Sequence, residues 1–247
     1  MSGWDGWLIL LAASLIVFFT LWGGRVGKRV LRPIEAFEKL RRTIELSVED
    51  GSRLQISLGR GDPLGPQAAA GLAGLTLLRQ VARIAADSDQ PPIATTGDAG
   101  LMVLAQDTLR VSYRDLNIRS RYHGRLGRFS GATPFSYAAG VASLILDRSV
   151  SAGGLVGSFG EEAGLIAAAS QRAGAFSLGG SDSLVAQSIL YSSADEPLLG
   201  EEIYATGAYL DAGAGHLASL LAQDILRWLV IAVIFGLAIG RLIGWVQ

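Results

Sequence analysis

Hydrophobic and polar positions change rhythm several times along the chain. Trp7 to Trp22 reads WLILLAASLIVFFTLW without a charge. With Gly23 and Gly24 added, and about 1.5 Å of rise per residue, a helix over this run just crosses a hydrocarbon core. Trp4, Trp7 and Trp22 stand where half-apolar indoles settle at the two interfaces. A second span is expected from Trp228 to Val246, where WLVIAVIFGLAIG precedes Arg241 and LIGWV follows, with Arg241 snorkelling toward the far interface. After the first span, Val26, Val30, Ile34, Phe37, Leu40 and Ile44 recur at helical spacing, and Glu35 with Lys39 and Glu38 with Arg42 form i,i+4 pairs. An amphipathic helix leaving the membrane is the expectation for this stretch.

From about residue 53 the pattern changes to short β-prone runs, each passing through a Gly-containing turn into an Ala/Leu-rich helix. Arg53–Leu58 leads into Gln67–Ala86, Pro92–Thr96 into Leu101–Leu116, Gly154–Phe159 into Ala163–Ala173, and Ala175–Leu178 into Ser183–Ser193. A further helix is expected over Pro134–Leu146. Strands alternating with helices predict a mostly parallel sheet, because parallel neighbours need a crossover connection. The expected fold is therefore α/β, a Rossmann-like three-layer arrangement between two transmembrane helices. Its segments are a transmembrane helix over 1–24, a juxtamembrane helix over 25–46, an α/β domain over 47–224 and a transmembrane helix over 225–247. His216–Ile225 meets the second span without a breaker, so one continuous helix is predicted there.

Charge adds an orientation. No Lys or Arg precedes the first span, whereas Arg25, Lys28, Arg29 and Arg32 follow it. The positive-inside rule then puts both termini outside and the central domain in the cytoplasm. The balance of 21 basic against 22 acidic residues gives no sign of a nucleic-acid partner. Zero cysteines remove disulfides, thiol nucleophiles and Cys-ligated metals, and with only His123 and His216 no metal or cofactor is expected. Within the domain charge is segregated. Arg110, Arg114, Arg119, Arg121, Arg125 and Arg128 fall in one stretch, while residues 149–224 hold nine acids against Arg172 alone. The basic stretch, with Tyr122 and Phe129 interleaved, suits phosphate groups, an acidic neighbouring subunit or internal pairing, and the last two are favoured.

Candidate chemistry is sparse. Gly59, Gly61 and Gly65 lie between a strand and a helix, where a glycine-rich turn can hold a phosphate. The spacing is loose, the Lys-Ser/Thr of a P-loop is missing, and Asp98 stands too far on to hold a ribose, so a tight βα turn is the preferred reading. Asp62, Asp98, Glu161, Glu162 and Asp182 all follow predicted strands and would gather at the carboxyl edge of the sheet. Oxygen ligands suit Mg²⁺ or Ca²⁺. Each acid can equally cap or charge its own helix start, worth about 1 kcal/mol, and that reading is preferred. No G-x-S-x-G, H-E-x-x-H or catalytic triad spacing occurs, so no catalytic residue is assigned and an enzyme is not favoured. The segment ADEPLLGEEIYATGAYLDAG, without a clean period, suits a cleft or a subunit interface. Ala232, Gly236, Gly240 and Gly244 repeat every fourth residue, a small-residue seam on which another helix can pack closely.

The phrases LGRGDPLGPQAA, ATTGDAG, TPFSYAAG, VGSFGEE, DEPLLGEEIYATGAYL and AQDILRW resemble those of a family of two-span bacterial membrane proteins known only as a domain of unknown function. The likeness implies a bacterial inner membrane location and carries over no catalytic residue. Together these features predict a membrane-anchored oligomeric scaffold or partner-docking protein. Its expected partners are the lipid bilayer, further copies of itself and an unidentified membrane or cytoplasmic protein. The alternative is a sensor or hydrolase that binds a nucleotide or small molecule at the carboxyl edge.

Overall fold

A computed structural model describes residues 14–20, 34–147, 150–210 and 213–242. The chain divides into two compact units, one formed by Pro33–Asp211 and the other by Met1–Arg32 with Ala212–Gln247.

In the second of these, residues 14–20 are helical (α1), and Ala214–Leu242 form one unbroken helix, which is α9 in chain order. Within it Gly215–Gly236 is long and apolar enough to cross a membrane. Asp224 and Arg227 pair at 3.7 Å on one side of it, which tempers two charges inside the apolar run. That stretch begins ten residues before the span expected over 225–247. The expected first span over 1–24 is described only at residues 14–20, and its flanking tryptophans and basic residues lie outside the described residues.

The Pro33–Asp211 unit starts with α2 (Glu35–Glu49), followed by β1 (Arg53–Gly59), α3 (Ala68–Ile84), β2 (Ile93–Thr96), α4 (Ala99–Asp115) and β3 (Gly127–Phe129). Then come α5 (Pro134–Asp147), β4 (Val150–Ser158), α6 (Glu162–Ala173), β5 (Phe176–Ser181), α7 (Leu184–Ser193), β6 (Glu196–Leu198) and α8 (Glu202–Tyr209). All neighbouring strands run parallel, in the order β3-β2-β1-β4-β5-β6. This is the doubly wound order, whose direction reverses between β1 and β4. Helices cover both faces. A Cβ at Gly154 would meet Leu77 of α3, whereas one at the adjacent Gly153 would approach Ser170 of α6. The side facing α3 is apolar, with Leu54, Ile56 and Leu58 buried on β1. The opposite side of β1 carries Gln55 and Ser57, fully buried beside Thr95 of β2. Gln55 Nε2 donates to Ser57 Oγ and to Thr95 Oγ1, both at 2.8 Å, whereas the buried Gln55 Oε1 has no partner among the described residues.

The described part of the stripe expected on a helix leaving the membrane belongs to this core, and Val26 and Val30 lie outside the described residues. Phe37, Leu40 and Ile44 of α2 are buried, and Phe37 stacks on Tyr209 of α8 with ring centroids 5.1 Å apart. The compact unit therefore begins at Pro33, earlier than the boundary at 47 read from the sequence, and ends at Asp211, before 224. An amphipathic stripe does not say whether it is buried against lipid or against protein. The ring contact places the first turn of α2 beside the end of α8. Glu35 pairs with Lys39 as expected, and Lys39 reaches Glu196 at the start of β6 as well. That contact holds the Lys39 ammonium above its ordinary pKa.

Candidate functional site

In doubly wound sheets ligands bind beyond the carboxyl ends of the strands, at the point where the order reverses. Here that point lies between Gly59 at the end of β1 and Ser158 at the end of β4. Gly59 has φ +74°, and a Cβ there would come 2.1 Å from the carbonyl oxygen of Ser158, so the two strand tips touch through backbone. Arg60 N–H donates to the same oxygen at 2.9 Å. The Gly59 N–H donates to the buried Tyr137 Oη at 3.3 Å, and Tyr137 donates to the Thr95 carbonyl at 3.3 Å. The Gly59 carbonyl accepts from Gly97 N–H at 2.9 Å.

Arg60 then lies across the opening. Its Nε donates to Glu162 Oε1 at 3.1 Å and its Nη1 to the carbonyl of Ala132 at 3.2 Å. Its aliphatic carbons rest on Gly97, where a Cβ would come 2.4 Å from Cγ. Glu162 is only 2% exposed and Arg60 30%, so the guanidinium shields a buried carboxylate from the solvent side. Burial pushes the Tyr137 hydroxyl above its ordinary pKa, so it stays a neutral donor at physiological pH.

The glycine turn itself is self-contained. Asp62 Oδ1 accepts Leu64 N–H at 2.9 Å, and the Asp62 carbonyl accepts Gly65 N–H at 3.1 Å. A Cβ at Gly65 would sit 3.3 Å from that of Asp62, and one at Gly61 would sit 2.9 Å from Cβ of Ser158. Helix α3 starts only at Ala68, after these N–H groups have been used. Gly59, Gly61 and Gly65 thus make a close-packed turn in which the Gly59 and Gly65 amides already have partners within the protein.

The carboxyl-edge acids divide by role. Asp98 is the N-cap of α4, with Oδ1 accepting Leu101 N–H at 2.8 Å. Glu162 stands in the first turn of α6 and holds Arg60. Ser183, not Asp182, is the N-cap of α7, and among the described residues Asp182 accepts from Ser181 Oγ alone, at 3.4 Å. It lies near Tyr204, whose hydroxyl is raised above its ordinary pKa by partial burial and by that carboxylate. Among the described residues no three His, Asp or Glu side chains come together to hold a metal ion.

The acidic segment expected to line a cleft or interface forms β6 and α8. Asp195 Oδ2 accepts both the N–H and the hydroxyl of Ser177 at 2.8 Å, Glu196 pairs with Lys39, and Glu202 accepts Leu199 N–H at 3.2 Å. Within the basic stretch, Arg121 donates to the carbonyls of Ala86 and Ser88 and faces Asp89 at 3.8 Å, which is the internal pairing considered for it. Of the seam residues, Ala232 is exposed and a Cβ at Gly236 would meet nothing within 4 Å. Gly240 lies in α9, and Gly244 lies outside the described residues.

Residues 4–246 match the family described as Domain of unknown function (DUF6754). The chain belongs to the DUF6754 family. No curated protein and no solved structure is detectably similar to it. Family membership therefore extends over both compact units and brings no activity with it.

Proposed function

We propose that this protein is a membrane-anchored, self-associating scaffold whose α/β domain works by docking and not by catalysis. The observation that carries this reading is the reversal point itself. Arg60, Glu162 and Tyr137 spend on one another and on the Gly59 turn the groups that a bound phosphate or substrate would need. A doubly wound order alone argues for no activity, because fold and function are separable.

Membrane attachment rests on the apolar stretch Gly215–Gly236, from which Trp228 stands out at 70% exposure. Together with the charge-free run from Trp7 to Trp22 this supports two spans, with the domain on the side of Arg25, Lys28, Arg29 and Arg32. The contact of Phe37 with Tyr209 suits a domain held at both ends. The occupant of the docking face is a second copy of the chain, joined through the open face of α9 that carries Ala232 and Gly236.

The mass of the full-length protein in detergent, with bound detergent subtracted, tests the proposal. A defined multiple of 25.9 kDa that falls when Gly236 and Gly240 are replaced by Leu is expected. A monomer at all concentrations removes the self-association, and a cysteine at Ser2 that is shielded from an impermeant label on intact cells removes the orientation.

A further inference from the structure

The outer side of α4 carries a feature that the scaffold reading does not use. Val103, Asp107, Arg110 and Arg114 recur at steps of four, three and four along this helix and so form one stripe. Opposite the stripe runs the connection from α4 to β3, which includes Arg119 and Tyr122. Two adjoining hollows lie between them. One, of about 410 Å³, is lined by Arg110, Arg114, Arg119 and Tyr122. The other, of about 310 Å³, is lined by Val103, Leu104, Gln106, Asp107, Arg110 and Tyr122. Arg110 and Tyr122 belong to both, so the hollows form one groove with a cationic half and a partly apolar half.

The wall of this groove is fixed. Gln106 Nε2 donates to the carbonyls of Gly124 and Gly127 at 3.1 and 3.0 Å, tying the connection to α4. Arg121 fastens the same connection to the carbonyls of Ala86 and Ser88. Positive charge inside it is incompletely neutralised. Arg110 pairs with Asp107, and Arg114 shares Asp115, at 3.6 Å, with Arg79 at 3.8 Å. Among the described residues no carboxylate comes within ion-pair distance of Arg119.

We infer that this groove binds a phosphate-bearing ligand with a planar or apolar body. Guanidinium forks from Arg110, Arg114 and Arg119 take the phosphate oxygens, and the body lies on Tyr122, Val103 and Leu104. Guanidinium geometry matches phosphate in a bidentate manner, and an aromatic face beside it accepts a planar group. The hollows are of ligand size. A free nucleotide and an anionic lipid headgroup both supply this chemistry. The inference does not depend on self-association.

The test titrates the full-length protein in neutral detergent with ADP by calorimetry, and in parallel with phosphatidylglycerol against phosphatidylcholine in mixed micelles. Saturable binding is expected in at least one arm, and the arm that responds identifies the source. Arg114→Gln with Arg119→Gln, both exposed side chains, should weaken it roughly tenfold or more. Arg172→Gln, on the exposed end of α6, should leave it unchanged. A fall in affinity with rising salt should be shallower in the double variant. No saturable binding in either arm, or binding that the double variant leaves intact, overturns the inference. So does binding of an acidic peptide such as polyglutamate when both phosphate probes fail, since the groove is then a protein-docking surface.

Discussion

Two places in the domain use arginine in opposite ways. At the end of β1 a single, partly exposed guanidinium is held by the buried Glu162 and the carbonyl of Ala132. On the outer side of α4 three guanidiniums face an open groove, with Asp107 and Asp115 as exposed partners of Arg110 and Arg114. Net charge in the sequence does not separate these cases. What separates them is whether the partner carboxylate is desolvated, because a buried charge must keep its partner whereas an exposed pair contributes little. The fold's customary ligand position is thus the closed one, and the open one lies off the reversal point.

The sharpest break of the closed region is Gly59→Ala. Its Cβ would fall 2.1 Å from the Ser158 carbonyl oxygen at a φ of +74°. Chemical unfolding in detergent should show a loss of about 4 kcal/mol, combining backbone strain with separation of β1 and β4. If the loss is small, the strand tips are not in contact and the reversal point is open to a ligand.

Next in size is the ion pair. Arg60→Met leaves a carboxylate that is 2% exposed without its guanidinium and should cost about 3 kcal/mol. Glu162→Gln removes the buried charge and leaves Arg60 partly in water, so about 1 kcal/mol is expected. This asymmetry, read from the two unfolding curves, is the signature of a closed site. Equal costs would place both groups in solvent.

Much of this was legible in the chain, and what was not has a physical cause. The strand and helix pairs around β1, β2, β4 and β5 follow from apolar runs ended by glycine turns, and the observed elements match them within a few residues. β3 and β6 are three-residue edge strands, Gly127–Phe129 and Glu196–Leu198, too short for any period to emerge from an Arg-rich and an acidic stretch. The glycine turn could be read as a turn from the missing P-loop residues. Arg60 stood in the sequence only within the phrase LGRGDPLGPQAA, and its partner lies 102 positions away. Tyr137 lies within TPFSYAAG, where nothing local says that its hydroxyl will reach the Gly59 amide.

Arginines of the open region should divide in the same way. Arg121→Gln loses donors to two carbonyls and should cost about 1.5 kcal/mol. Arg119→Gln, a few ångströms along the same turn, should change stability by less than about 0.5 kcal/mol. A cost at Arg119 equal to that at Arg121 would make the whole stretch a structural clamp.

The smallest effect compares two buried tyrosines, one under each region. Tyr137 Oη accepts the Gly59 N–H, so Tyr137→Phe orphans a buried amide and should cost about 1 kcal/mol. Tyr113, on the inner side of α4, has a buried hydroxyl without a partner among the described residues. Tyr113→Phe should therefore be neutral or slightly stabilising at pH 7. Alkaline unfolding tells the two apart further. Burial pushes the Tyr113 hydroxyl up to about 12, against about 10 in the unfolded chain. Below pH 10 both states hold the proton and the group adds no pH dependence. Between about pH 10 and 12 the folded state keeps a proton that the unfolded chain has released, so stability falls as pH rises. Tyr113→Phe should make that fall shallower by close to one proton, and Tyr137, raised in the same direction, should maintain the remainder. An unchanged alkaline slope in Tyr113→Phe would mean that this hydroxyl reaches water in the folded protein, and α4 would then be less firmly seated than its buried Leu101, Ala105 and Leu109 require.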